Sequence, residues 1–241
     1  VGPKTAAAYA EAFLGEGRPF DAVTISPYLG QDGILPFVDV AAQTDKGVFV
    51  LVRTSNPSAS EFQDLPVGDC LLHEEVARSV ARIGEKGVGE AGFSAVGAVV
   101  GATEPEEIRI LRSELPGQLL LIPGCGAQGG GAADVAAGFY ENGKGAIVNS
   151  SRGIIFAGDE KDFALRAADA AERAHLAVDP QVVADARAAA DVPARKVRTA
   201  RDDPRAADAR RTADVVARRV QVAQRAHRTT EHRATAGGQC V

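Results

Sequence analysis

Five short runs of this chain are almost continuously apolar: AVTIS (22–26), GVFVLVRT (47–54), SAVGAVVGAT (94–103), QLLLIPG (118–124) and GAIVNSS (145–151). A strand with one wet face alternates apolar and polar residues. Continuous apolar runs are expected where a strand is covered on both faces, as in parallel sheets. Between the runs lie stretches with helical spacing. LLHEEVARSVARIGEK (71–86) places Val76, Val80 and Ile83 on one face. EPEEIRILRSEL (104–115) follows Thr103 as the expected N-cap, with Pro105 in its first turn and acids suited to a helix N-terminus. GAADVAAGFYENG (131–143) and DEKDFALRAADAAERAHL (159–176) are predicted helices, the second aligning Phe163, Ala167, Ala170 and Ala174. KTAAAYAEAFLG (4–15) is a predicted helix that stops at a glycine.

The order is a helix and then about five βα units, which predicts a parallel α/β fold. An open doubly wound sheet and a (β/α)8 barrel both fit. In either, loops after the carboxyl ends of the strands carry function. TSNPS, VGATEP, PGCGAQGGG and NSSRG fall there.

Composition changes the picture near residue 178. Residues 1–178 hold 14 Lys and Arg against 24 Asp and Glu, whereas 179–241 hold 13 against 8. The second segment has no Leu, Ile, Phe, Tyr or Trp, too little apolar surface to offset ordering entropy. Two parts are therefore expected: a (β/α) domain over 1–178 and an Ala/Arg/Asp-rich tail over 179–241, disordered or loosely helical. The tail's composition also resembles GC-rich DNA translated in a wrong frame. It is basic but has no aromatic residues for base stacking and carries interspersed acids, so nucleic acid is not an expected partner. There is no apolar run of about 18 residues and no signal-peptide pattern, so no membrane association is expected. Cys70, Cys125 and Cys240 are scattered and make neither a disulfide framework nor a metal motif; a cytoplasmic protein is expected.

The loop GCGAQGGG holds five glycines in eight residues, between an apolar run and a predicted helix. Glycines let backbone amides approach an anion, and a following helix adds its dipole. A plain strand–helix turn needs fewer. Gln128 adds a donor and an acceptor. One unit later, Arg152 in NSSRGI offers a planar, permanently charged fork suited to phosphate. In TSNPS, Ser55 and Asn56 are either ligand contacts or members of an Asx turn, which Asn-Pro favours anyway. Tyr28 in SPYLG either packs or faces a pocket. G-x-S-x-G, H-E-x-x-H and a Walker loop are all lacking.

TISPYLG, VFVLVRTSNPSA, LIPGCGAQGG and IVNSSRGI, in this order and spacing, resemble the bacterial orotidine 5′-phosphate decarboxylases, nearest the branch found in actinobacteria and related groups. The resemblance runs to about residue 178. It implies a homodimeric (β/α)8 barrel that converts orotidine 5′-monophosphate to uridine 5′-monophosphate and carbon dioxide in pyrimidine biosynthesis, without metal or organic cofactor. By motif, Ser55 would hydrogen-bond the pyrimidine, and Pro123 would begin a loop over it. Gln128 would reach between base and phosphate. Arg152, with backbone amides around Gly129, Gly130 and Gly153, would hold the phosphate. Thr5 would touch the ribose across the dimer. The family's D-x-K-x-x-D, whose lysine stabilises and protonates the developing carbanion, does not occur. The resemblance places that motif upstream of residue 1. Lys4 is not its lysine. An incomplete barrel, inactive alone, is therefore expected. The alternatives are another phosphate-binding barrel enzyme, of aldolase or synthase type, and a nucleotide-binding protein without catalysis.

Overall fold

A computed structural model describes residues 2–101, 105–123, 132–158 and 161–176. Apart from Gly68–Cys70, these belong to one compact unit. The elements are α1 (Pro3–Leu14), β1 (Ala22–Ile25), α2 (Gln31–Thr44), β2 (Gly47–Arg53), α3 (Ser60–Gln63), the two-residue strands β3 (Pro66–Val67) and β4 (Cys70–Leu71), α4 (Leu72–Gly84), β5 (Ser94–Val100), α5 (Pro105–Glu114), β6 (Gln118–Pro123), α6 (Ala132–Val135), β7 (Ala146–Asn149), α7 (Ser151–Ile155) and α8 (Phe163–Leu176). The tail predicted over 179–241 and the expected cap Thr103 lie outside the described residues.

All five apolar runs form strands of one sheet in the order β1-β2-β5-β6-β7, and every pairing is parallel. Neighbours in space are therefore neighbours in sequence, apart from the small β3 and β4. Successive parallel strands with intervening helices are the build of a (β/α) barrel wall.

One expectation needs correction. The strands are not uniformly buried on both faces. Val48, Val50, Val96, Ala98, Leu120 and Ile122 lie on the helix side and are buried, together with Ala77 and Val80 of α4 and Ile108 and Leu111 of α5. On the opposite face Gly97 and Val99 of the central strand are buried, whereas Phe49, Leu51 and Leu121 are half-buried and Thr24 is exposed. Ile147 on β7 is 48% exposed. Among the described residues the helices cover one face, and burial on the other falls off toward β1 and β7.

Helices differ from expectation in three places. The reading over 131–143 yields only α6 and a 3-10 turn at Ala136–Gly138. A tight turn then follows, in which Tyr140 N–H donates to the Lys144 carbonyl and Gly143 N–H to that of Tyr140. On α8, Phe163 is 59% exposed, so the aligned stripe does not bury its aromatic end. The helix of the first βα unit, α2, has no stretch assigned from the sequence, which Gly33 and Pro36 interrupt. Gly33 is required there, since a Cβ would sit 2.8 Å from Leu29 Cβ. Ile34, Phe37, Val40 and Ala41 nevertheless bury its inner face, and that burial outweighs weak propensity. The predicted N-terminal helix does end at Gly15. This glycine is needed for closeness rather than for a left-handed turn: its N–H donates to the Glu11 carbonyl, and a Cβ would lie 2.4 Å from that oxygen.

A buried arginine ties the wall together. Arg112 of α5 donates through Nη1 to the Gly145 carbonyl (3.1 Å) and through Nη2 to the Gln118 carbonyl (2.9 Å), linking the starts of β7 and β6. Its guanidinium lies 4.8 Å from the Tyr140 ring centre. Burial pushes its pKa below the ordinary arginine value, and the Tyr140 hydroxyl opposes that shift. The same hydroxyl donates to the Pro116 carbonyl.

Candidate functional site

Because the strands are parallel, their carboxyl ends meet at one rim. The described part of that rim carries Ser26–Gly30 after β1, Thr54–Ser58 after β2, Gly101 after β5, Pro123 at the end of β6 and Ser150–Gly153 after β7. Pro123 pairs with Asn149, which places it beside the start of the arginine loop. Gln128, Gly129 and Gly130, with the rest of the glycine-rich loop, lie outside the described residues.

The TSNPS loop is held from behind. Regular pairing runs to Leu51 opposite Val99, and then Arg53, not Val52, stands opposite Val100. This bulge inserts one residue and re-aims the strand end. Arg53, 8% exposed, thereby reaches Glu107 at the start of α5 (Nε to Oε2, 3.0 Å) and Asp64 (Nη1 to Oδ1, 3.1 Å). Gln63 completes the set: its Oε1 accepts from Thr54 N–H (2.9 Å), and its Nε2 donates to Thr54 Oγ1 (2.8 Å). The Thr54 hydroxyl then donates to Asn56 Oδ1 (2.6 Å). His73, buried in α4, lies with Nδ1 2.9 Å from the Gln63 carbonyl. A carbonyl only accepts, so Nδ1 carries the proton. Asn56 is thus engaged in local turn bonding. Among the described residues, no group bonds the Ser55 hydroxyl.

The second loop begins at Asn149, whose side-chain amide donates to Ser151 Oγ (3.3 Å). Gly153 lies within α7, where a Cβ would meet only the tip of the Ser150 side chain (Oγ, 2.6 Å). Arg152 is exposed and makes no ion pair among the described residues. Ser55, Pro123, Arg152 and Gly153 therefore share one rim. Tyr28 also stands there and is 87% exposed. Thr5 lies in the first turn of α1, which packs on α2 and touches β1; the other end of that helix, at Gly15, accepts from Lys46 Nζ (3.2 Å) just before β2. Arg53, Gln63, Asp64, His73 and Glu107 had no assigned role in the sequence reading. The one signal was an arginine closing an otherwise apolar strand. No group of His, Cys, Asp and Glu fit to hold a metal ion occurs among the described residues.

The family model "Orotidine 5'-phosphate decarboxylase / HUMPS family" matches residues 2–168. The chain belongs to this family. It is 47% identical over 169 residues to the orotidine 5'-phosphate decarboxylase of Rhodopirellula baltica, covering 68% of this chain and 56% of that protein. It is 50% identical over 162 residues to that of Caldicellulosiruptor saccharolyticus, covering 64% and 53%. The chain thus spans about half the length of these curated relatives. Among solved structures it is similar to a putative orotidine-monophosphate decarboxylase from Toxoplasma gondii, with TM-score 0.65 and 32% identity over 77% of this chain and 66% of that one. A putative orotidine 5'-phosphate decarboxylase from Streptomyces avermitilis gives TM-score 0.58 and 35% identity over 73% and 61%. These neighbours favour the decarboxylase family over an aldolase- or synthase-type barrel. They do not single out the actinobacterial branch.

Proposed function

We propose that this chain supplies the nucleotide-binding wall of an orotidine 5′-phosphate decarboxylase, the enzyme that forms uridine 5′-monophosphate and carbon dioxide from orotidine 5′-monophosphate. The observation that carries the proposal is the pair of loops at one rim: TSNPS with an unengaged Ser55 hydroxyl, and NSSRG with an unpaired Arg152. Arg152 would hold the phosphate by charge and a two-pronged hydrogen bond, helped by the backbone around Gly153. Ser55 would donate to or accept from the pyrimidine edge, and Pro123 would bound the base from the neighbouring strand. Gln128, Gly129 and Gly130 would complete the phosphate and base contacts, and Thr5 would reach a ribose in a second subunit of a homodimer. No metal or organic cofactor is invoked, and a cytoplasmic setting suits the reaction. Of the described rim residues after β1, β2, β5, β6 and β7, none is a lysine or a carboxylate. In this reading the wall binds and orients the nucleotide. The 1–178 part is the working domain in this reading, and the 179–241 tail has no role in the site.

The test is calorimetric titration of the chain with uridine 5′-monophosphate beside Arg152→Ala. Saturable binding that disappears in the variant supports the proposal. Equal binding by both proteins rejects Arg152 as the phosphate contact. No binding by either rejects the reading that this wall is a nucleotide site by itself.

A further inference from the structure

Ser55 sits between two residues that are both tied down. On its amino side, Thr54 has its N–H and its hydroxyl bonded to opposite ends of one amide, that of Gln63. On its carboxyl side, Asn56 accepts from the same Thr54 hydroxyl. The orientation of the Gln63 amide is unambiguous, because a backbone N–H can only donate and so must face Oε1. Gln63 is itself anchored twice. Its carbonyl meets the buried His73 Nδ1, and its Oε1 lies 3.4 Å from Nη1 of the buried Arg53. Arg53 in turn is locked by Glu107 and Asp64. From the other side Gly101 presses against the loop, its N–H donating to the Arg53 carbonyl (2.8 Å). The chain of bonds runs from α4 and α5 through Gln63 to Thr54 and Asn56, and passes over Ser55 without using its hydroxyl.

We propose that Gln63 is a positioning residue: it latches Thr54 and Asn56 so that the Ser55 hydroxyl is held ready for the base of the nucleotide. This rests on the proposed role of Ser55 above. A preorganised group loses little freedom on binding, so the latch contributes to base recognition without touching the ligand. It has no such effect on the phosphate, which is held two strands beyond β5.

Gln63→Met keeps the side-chain length and removes both polar ends. Two quantities are compared with the wild-type chain: hydrogen exchange at the Thr54 amide, and affinity for uridine 5′-monophosphate against ribose 5-phosphate. Thr54 exchange is expected to quicken about tenfold, the scale of one net hydrogen bond. Affinity for the nucleotide falls by a similar factor, while ribose 5-phosphate binding is unchanged. Gln63→Glu keeps an acceptor for the Thr54 N–H and is expected to restore much of its protection. Unchanged Thr54 exchange in Gln63→Met overturns the latch, whatever binds. A parallel loss of both ligands overturns its specific link to the base. A wild-type chain that binds ribose 5-phosphate and the nucleotide equally well denies Ser55 its base contact. One that binds neither rejects the nucleotide site itself, and with it this role for the latch.

Discussion

Gly101 and Ser55 are in direct contact: a Cβ on Gly101 would lie 2.9 Å from the Ser55 backbone nitrogen and 3.0 Å from its Cβ. The end of β5 is thus the floor on which the Ser55 loop rests, and only hydrogen fits between them. Gly101→Ala pushes against backbone, which yields less readily than a side-chain tip. The expected cost is about 1–3 kcal/mol of stability, as for other overpacked sites. Nucleotide affinity falls as Ser55 shifts. Chemical denaturation and a uridine 5′-monophosphate titration check the two effects.

Arg112 offers a test of the wall itself. Its two Nη groups serve two carbonyls, Gln118 at the start of β6 and Gly145 just before β7. Arg112→Met keeps the volume but leaves the Gln118 carbonyl without this donor; the Gly145 carbonyl still accepts from Leu120 N–H. A loss of about 1–3 kcal/mol is expected, the cost of leaving a buried polar group unpaired. Arg112→Lys does not recover it, since one ammonium cannot reproduce the fork. Urea unfolding of the three proteins reads this directly.

Across the sheet, Phe49 stands opposite Gly97 and its ring covers that glycine. A Cβ at 97 would meet the ring at 2.6 Å and the Leu119 carbonyl at 2.7 Å. Gly97→Ala is therefore expected to lower stability by about 1–3 kcal/mol. Phe49→Ala in the same background makes room on the ring side only. It should recover part of the loss relative to Phe49→Ala alone, and a double-mutant cycle measures that coupling.

Arg152 is exposed, so its attraction for a phosphate is screened by salt. Nucleotide binding is expected to weaken as ionic strength rises from about 0.05 to about 0.5 M, a range over which the screening length falls from above to below about 10 Å. Arg152→Ala is expected to bind weakly at all salt concentrations, with a flatter dependence. Arg152→Lys keeps the charge and hence the salt slope, at lower affinity. Titration at three salt concentrations distinguishes them.

The strands were legible because each is apolar nearly end to end, and α4 because Val76, Val80 and Ile83 recur at helical spacing against the core. The helix at 31–44 was not, since Gly33 and Pro36 weaken its propensity and only its packing restores it. The helix predicted over 131–143 overran because the turn at Tyr140–Lys144 is set by bonds between residues that no periodicity reveals. At the rim, Ser55 and Arg152 are candidates that loop composition marks, and both lie there. Gln63, Asp64, His73 and Glu107 could not be marked in that way, because each is an ordinary polar residue whose partner lies at least nine positions away in the chain.

What the sequence by itself determined is the succession of βα units and the loops that end them. Hydrophobic runs are local properties, and they suffice to say where the strands lie and which loops follow them. The tertiary structure alone decided which face of each strand is covered, how the bulge before Arg53 turns that side chain toward α5, and which hydroxyls at the rim stay unengaged, Ser55 among them. Those outcomes depend on which distant groups meet, and a hydrogen bond between Gln63 and Thr54 exists only once β2 and α3 have been brought side by side.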